Sequence, residues 1–206
     1  MHPTVLAAFA VALAIAVALP GPGIFAVVSC ALARGLRAAL ALIGGIILGD
    51  LIYFTLAVLG MAALARSLGD LFIAVKLAGA AYLIWIGIKL WRETPAALAE
   101  ARAETDGGRD QRRNFVGGFM VTIGNPKTIA FYAGLLPTFI DLETLGAADA
   151  LAMGGIVVLT VGLIPAGYAL AAAGSRKFFR SSTRMRWLNR TAGTMLIGSG
   201  VTVAVR

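Results

Sequence analysis

Residues 18–25 read Ala18-Leu19-Pro20-Gly21-Pro22-Gly23-Ile24-Phe25 and interrupt an uncharged run, Val5–Ala33, that is otherwise long enough to cross a membrane. About 20 apolar residues in a helix, rising roughly 1.5 Å each, match a hydrocarbon core near 30 Å thick. Inside such a run Pro20 and Pro22 remove two backbone donors and obstruct the preceding turn. The span is therefore expected to split, with a second half-helix starting near Ile24. A similar interruption, Gly124-Asn125-Pro126, falls within a second charge-poor run, Phe115–Ile140. Asn125 is a good N-cap, and Pro126 suits the first helical position. Each half-helix start turns unpaired N–H groups and the positive end of its dipole towards mid-membrane, so the two together suit an anion such as a carboxylate. Lys127, beside the second start, adds a full positive charge.

The composition agrees with a chain built for lipid. Of 206 residues 59% are hydrophobic and only 14% charged, against roughly 25% charged in an average soluble domain. The mean hydropathy is +0.87. A soluble enzyme, a disordered chain and a disulfide scaffold are excluded on these grounds, the last because Cys30 is the single cysteine. Six runs qualify as spans: Val5–Ala33, Ala38–Ala65, Leu71–Leu90, Phe115–Ile140, Ala150–Ser175 and Trp187–Val205. They are continuous rather than alternating in polarity, which argues for helices over barrel strands. A cleaved secretory signal is opposed by the first four residues, which carry no Lys or Arg, and by the length of the run that follows.

The net charge of +8 is an orientation signal. Arg34 and Arg37, the group from Lys89 to Arg113, and the group from Arg176 to Arg190 all fall on one side of the six spans. The positive-inside rule makes that side cytoplasmic and both termini periplasmic, and leaves no case for nucleic-acid binding. The polar stretch Arg92–Arg113 reads as a cytoplasmic linker. It divides the chain into a first three-helix repeat, residues 1–91, the linker, 92–113, and a second three-helix repeat, 114–206. Three spans per half is odd, so the halves run in opposite directions. Lys76-Leu-Ala-Gly79 matches Arg190-Thr-Ala-Gly193, and the broken spans 1 and 4 correspond. Paired Gly/Pro interruptions in inverted halves point to a transporter binding site.

Asp50 is the one acidic residue deep inside a span. A charge there is costly unless partnered or wet, so it is a functional candidate. The plain alternative is an ion pair with Lys127 or Lys76 that locks two helices. Tyr53, three residues on, shares its face and would line the same cavity or anchor an interface. Lys76 and Arg190 lie near span ends, within snorkelling reach. Trp85, Trp91 and Trp187 read as interface anchors. Gly44-Gly45, Gly79, Gly87, Gly193, Gly198 and Gly200 read as sites of close helix packing. Pro165 falls near the position equivalent to Asp50.

These residues resemble the lysine exporter family of bacterial inner-membrane amino-acid effluxers, which includes homoserine and threonine efflux proteins. The resemblance rests on Pro20-Gly-Pro-Gly23, Ala33-Arg-Gly35, Gly44, Gly49-Asp50, Lys76-Leu-Ala-Gly-Ala-Ala-Tyr-Leu83, Gly87, Asn125-Pro-Lys127 and Leu136-Pro-Thr-Phe-Ile-Asp141. It spans nearly the whole chain. Family members often carry Asn where this chain has Gly23, which bears on the substrate. The resemblance implies a six-helix exporter of amino acids or close derivatives in the bacterial inner membrane, driven by the proton-motive force. Joined to the residues above, it gives a site of Pro20, Gly21, Pro22, Gly23, Asp50, Tyr53, Lys76, Asn125, Pro126 and Lys127. The substrate carboxylate would meet the half-helix starts, and Asp50 would take its ammonium or exchange a proton.

The expected partners are a small amino-acid-like substrate, protons and membrane lipids, with a homodimer left open. No cofactor is expected. An enzyme is disfavoured because His2 is the single histidine and Cys30 the single cysteine, leaving no metal set or catalytic pair. An ion channel or metal-ion transporter of similar inverted architecture is the rival, although one midplane acid against Lys127 suits cation passage poorly.

Overall fold

The computed structural model describes residues 2–59, 108–136 and 145–174, with single residues and short runs between 77 and 92 and between 187 and 205. Every element in the described residues is helical. Helix α1, Pro3–Ala18, starts on a proline at its first turn. It stops where the sequence runs out of donors: Leu19 turns extended before Pro20, as a residue preceding proline prefers. Helix α2, Pro22–Arg34, restarts with Gly21 as N-cap and Pro22 in its first turn. The two axes bend by 56°, and together they are long and apolar enough for one broken span or a re-entrant loop. The run Val5–Ala33 is therefore helical on both sides of a break at Leu19–Gly21, as the prolines predict.

Helix α2 ends at Gly35, whose φ of 93° is open to glycine and strained for other residues. That turn feeds α3, Leu36–Val58, which is long and apolar enough to cross a membrane, as is α6, Ala147–Gly174. Between them lie α4, Gly108–Ile123, and the short α5, Pro126–Ala130, which runs on into a π-helical turn, Phe131–Leu135. The second break falls at Gly124–Asn125, as the Gly-Asn-Pro run predicts. Helix α4 begins at Gly108 and so includes residues expected in the linker. A search for apolarity stops at Phe115, yet Arg and Gln are good helix formers and extend the helix into polar surroundings. The remaining expected spans, Leu71–Leu90 and Trp187–Val205, lie largely outside the described residues.

A glycine seam joins the two halves. A Cβ on Gly45 of α3 would strike the carbonyl of Phe115, and one on Gly118 of α4 would strike that of Leu42. One turn further along, a Cβ on Gly49 would come within 2.8 Å of the Thr122 side chain. Backbones this close are what small residues permit in membrane helix pairs. Gly87 and Gly193 make the same kind of contact: a Cβ on either would come within 2.7 Å of the other's carbonyl oxygen. Gly44 sees only ordinary contact with the Phe115 ring, and Gly198 has open space, so these two are not packing requirements. Gly79 and Gly200 lie outside the described residues.

Phe9, Leu13, Val27, Leu32, Ile43, Val121, Met153, Val157 and Val161 form the core between α1, α2, α3, α4 and α6. The outward faces of α1 and α6 carry exposed Val11, Ile15, Leu151, Leu159, Leu163 and Leu170, a surface suited to lipid rather than to water. Trp85, Trp91 and Trp187 are also exposed. Trp91 donates from Nε1 to Thr194 Oγ1 at 2.9 Å, and the Arg190 guanidinium lies 5.1 Å from its ring centre.

The seam predicts that Gly45→Ala and Gly118→Ala each lower the thermal unfolding midpoint in detergent, with overpacking costing about 1–3 kcal/mol. Gly155→Ala and Gly167→Ala, which enter open space, should leave the midpoint unchanged or raise it. A Gly45→Ala protein as stable as wild type would mean that the seam does not hold the halves.

Candidate functional site

Broken helices leave carbonyls without partners, and the proline positions say which ones. In a continuous helix the carbonyl of Ala18 would accept from residue 22, but Pro22 has no N–H. The carbonyl is taken instead by the Tyr168 hydroxyl of α6, at 2.9 Å. The next carbonyl, Leu19, accepts from Lys127 Nζ at 2.7 Å. At the second break the Lys127 N–H turns to the Asn125 side chain, 3.1 Å away, and so is lost to the carbonyl of Ile123. That carbonyl accepts from the Tyr53 hydroxyl of α3. Each break is thus sealed by side chains from the other half of the chain. The two tyrosines hold matching places: Tyr53 lies three residues after Asp50, and Tyr168 three after Pro165.

With their C-terminal sides sealed, the breaks present their N-terminal sides to one small cavity of about 50 Å³. Gly23 and Ile24 line it from the first turn of α2, Ile46 and Asp50 from α3, and Thr122 from α4. Asn125, Lys127 and Thr128 come from the second break, and Val161 and Pro165 from α6. At roughly 10–15 Å³ per water this holds a few waters. In α2 the N–H of Phe25 already turns back to the carbonyl of Gly21, so Gly23 and Ile24 carry the first-turn N–H groups that have no partner in the helix. Gly23 itself is open to the cavity, since a Cβ there would meet only Ile46 Cδ1, at 3.8 Å.

Asp50 is buried, with 6% of its surface exposed. Its polar neighbours are Tyr132, Lys127 and Tyr53. The expected locking ion pair is not formed with Lys127, whose ammonium is engaged by Leu19 and lies against Gly21. The two charges nevertheless act on each other. The structure brings together Gly23, Asp50, Asn125 and Lys127 in the cavity wall, with Gly21 against Lys127 and with Pro22 and Pro126 opening α2 and α5 behind them. Tyr53 is not part of the lining; it is buried and seals the second break. Asn125 caps α5 with its side chain. Pro20 is exposed at the first break. Lys76 lies outside the described residues, as does Asp141.

Sequence reasoning missed Thr122, Thr128, Tyr132 and Tyr168. The repeated spacing, Asp50 to Tyr53 and Pro165 to Tyr168, was a signal that could have found the last. Tyr132 had none: it sits in the π-helical turn, which no residue pattern announced.

The profile of a family described as LysE type translocator matches residues 14–206. A homoserine/homoserine lactone efflux protein of Salmonella typhimurium is 33% identical over 183 residues, covering 87% of each chain. A membrane protein of Synechocystis sp. is 32% identical over 168 residues, 82% of this chain and 78% of its own. A threonine efflux protein of Salmonella typhi is 27% identical over 202 residues, 94% of this chain and 95% of its own. No solved structure matches the chain significantly.

The seals predict a graded cost. Tyr53→Phe strands a buried carbonyl and should cost about 1–3 kcal/mol of stability, read as a lower unfolding midpoint in detergent. Tyr168→Phe should cost less in detergent, where water can reach the exposed Ala18, and should show its loss as a smaller inserted fraction in membranes.

Proposed function

Because the chain belongs to the LysE type translocator family, we propose that it is a secondary active exporter of amino acids or close derivatives across the bacterial inner membrane, proton-coupled and working by alternating access. It is a translocator and not an enzyme. The observation that carries the reading is the meeting of Asp50, the first turn of α2 and the second break in one cavity. An amino acid is a zwitterion, and the cavity offers the two complements. Asp50 receives the ammonium or, in its absence, exchanges a proton. The N–H groups of Gly23 and Ile24 receive the carboxylate, with Lys127 adding positive charge from across the break. The names of the relatives, homoserine and threonine efflux proteins, support a substrate of this class.

Six spans in two inverted repeats, with spans 1 and 4 broken and both termini periplasmic, is the arrangement on which this mechanism runs. The reciprocal seals of the two breaks support it, since each half treats the other in the same way. A cavity sized for a few waters suits an occluded form, which opens to either side as the halves rock. Membrane lipid faces the apolar flanks of α1 and α6; assembly as a homodimer would leave the cavity within each chain.

The test is efflux of a panel of radiolabelled amino acids, homoserine and threonine included, from vesicles under an imposed pH gradient. Wild type should show saturable, gradient-dependent transport, which separates an exporter from a channel. Asp50→Asn, inserted to the same level, should bind substrate roughly 30-fold or more weakly, as expected when about 2 kcal/mol or more is lost with one member of a buried charge pair. Transport by Asp50→Asn equal to wild type would sink the assigned role.

A further inference from the structure

Tyr132 is fully buried, and its hydroxyl has no hydrogen-bond partner. The ring is well accounted for. It stacks on Tyr53 with centroids 6.4 Å apart and planes at 14°, and meets Phe131 edge-on at 5.3 Å. A phenylalanine would make both contacts. The hydroxyl is therefore an added polar group left unpaired in the interior, where such a group is costly. Such costs are concentrated where another state of the protein uses the group.

The hydroxyl interacts with the Asp50 carboxylate, but the two do not meet in a well-formed hydrogen bond. Three titratable side chains interact with that carboxylate: Tyr53 on its own helix, Lys127 on α5 and Tyr132 on the π-helical turn. Tyr53 gives its proton to Ile123, and Lys127 is anchored on Leu19. Of the two tyrosines, Tyr132 holds the uncommitted donor. The turn that carries it, Phe131–Leu135, is of the rare wider kind that recurs at functional sites, and here it brings the consecutive Phe131 and Tyr132 both to the buried side.

We propose that Tyr132 is a positioning residue for Asp50, donating its hydroxyl hydrogen bond to the carboxylate in the charged, substrate-accepting state and holding it towards the cavity. The inference rests on the reading of Asp50 as the acceptor of the substrate ammonium. A hydroxyl-to-carboxylate bond is among the stronger kinds. Tyr132 lies outside the cavity wall, so it acts through Asp50 and not on the substrate.

The experiment compares wild type, Tyr132→Phe, Tyr53→Phe and Asp50→Asn in the same vesicles, using the best-transported amino acid of the panel. Tyr132→Phe keeps the ring and should insert like wild type, with a maximal rate within about twofold and a KM raised roughly 10-fold, the scale of one hydrogen bond to a charged group. Tyr53→Phe, which removes a seal, should keep its KM while losing stability. A wild-type KM for Tyr132→Phe overturns the proposal. So does an equal KM rise in Tyr53→Phe, which would mark general loosening, or failed insertion of Tyr132→Phe, which would make the hydroxyl a folding contact. If Asp50→Asn transports like wild type, the ammonium reading itself fails. If Asp50→Asn is impaired and Tyr132→Phe is normal, only the positioning role falls.

Discussion

A helix broken in the middle of a membrane span has carbonyls with no water to turn to, and each must find a donor within the protein. The pairs Tyr168 to Ala18, Lys127 to Leu19 and Tyr53 to Ile123 answer that requirement. They also impose one, because every donor comes from the half opposite its acceptor. The halves are therefore joined at the points where their backbones are weakest. The glycine seam between α3 and α4 brings Tyr53 near enough to reach Ile123, so packing and capping support each other. Such mutual dependence explains why glycine stands at Gly45, Gly49 and Gly118, where a methyl group would force the backbones apart.

The sealing is one-sided, and that asymmetry creates the site. Side chains take the carbonyls at the end of each first half-helix, while at the start of α2 Gly23 and Ile24 line the cavity and their N–H groups have no partner within the helix. An intact helix would have paired these groups with carbonyls of the preceding turn. The first turn of α2 and Asp50 line one cavity that holds a few waters. In the role proposed for this cavity, a zwitterion complements the two together in a way that a simple ion does not.

Much of this was legible in the sequence, for physical reasons that differ from residue to residue. Proline has no N–H wherever it stands, so the breaks at Pro20–Pro22 and Pro126 could be read directly, as could the N-cap at Asn125. Asp50 stood out because a lone charge in an apolar run needs a reason. The destinations of side chains were not legible. Tyr53 shares a helical face with Asp50, yet its hydroxyl goes to a carbonyl seventy residues away in the chain, a choice set by how closely α3 approaches α4. For Lys127 the sequence offered a charge beside the second half-helix start or, as the alternative, an ion pair with Asp50; its ammonium holds Leu19, because an orphan carbonyl lies within its reach. Tyr132 depends on a turn of unusual width, and the start of α4 depends on helix propensity in a polar stretch. Neither leaves a trace in hydropathy.

The reciprocal seals also bear on how the chain comes to be made. Synthesis proceeds from the first half to the second, so α1 and α2 reach the bilayer before Lys127 and Tyr168 exist. During that interval the carbonyls of Ala18 and Leu19 have no permanent donor and must borrow one from water, from a headgroup or from the insertion machinery. The first break is thus finished only when α6 arrives, more than a hundred residues later.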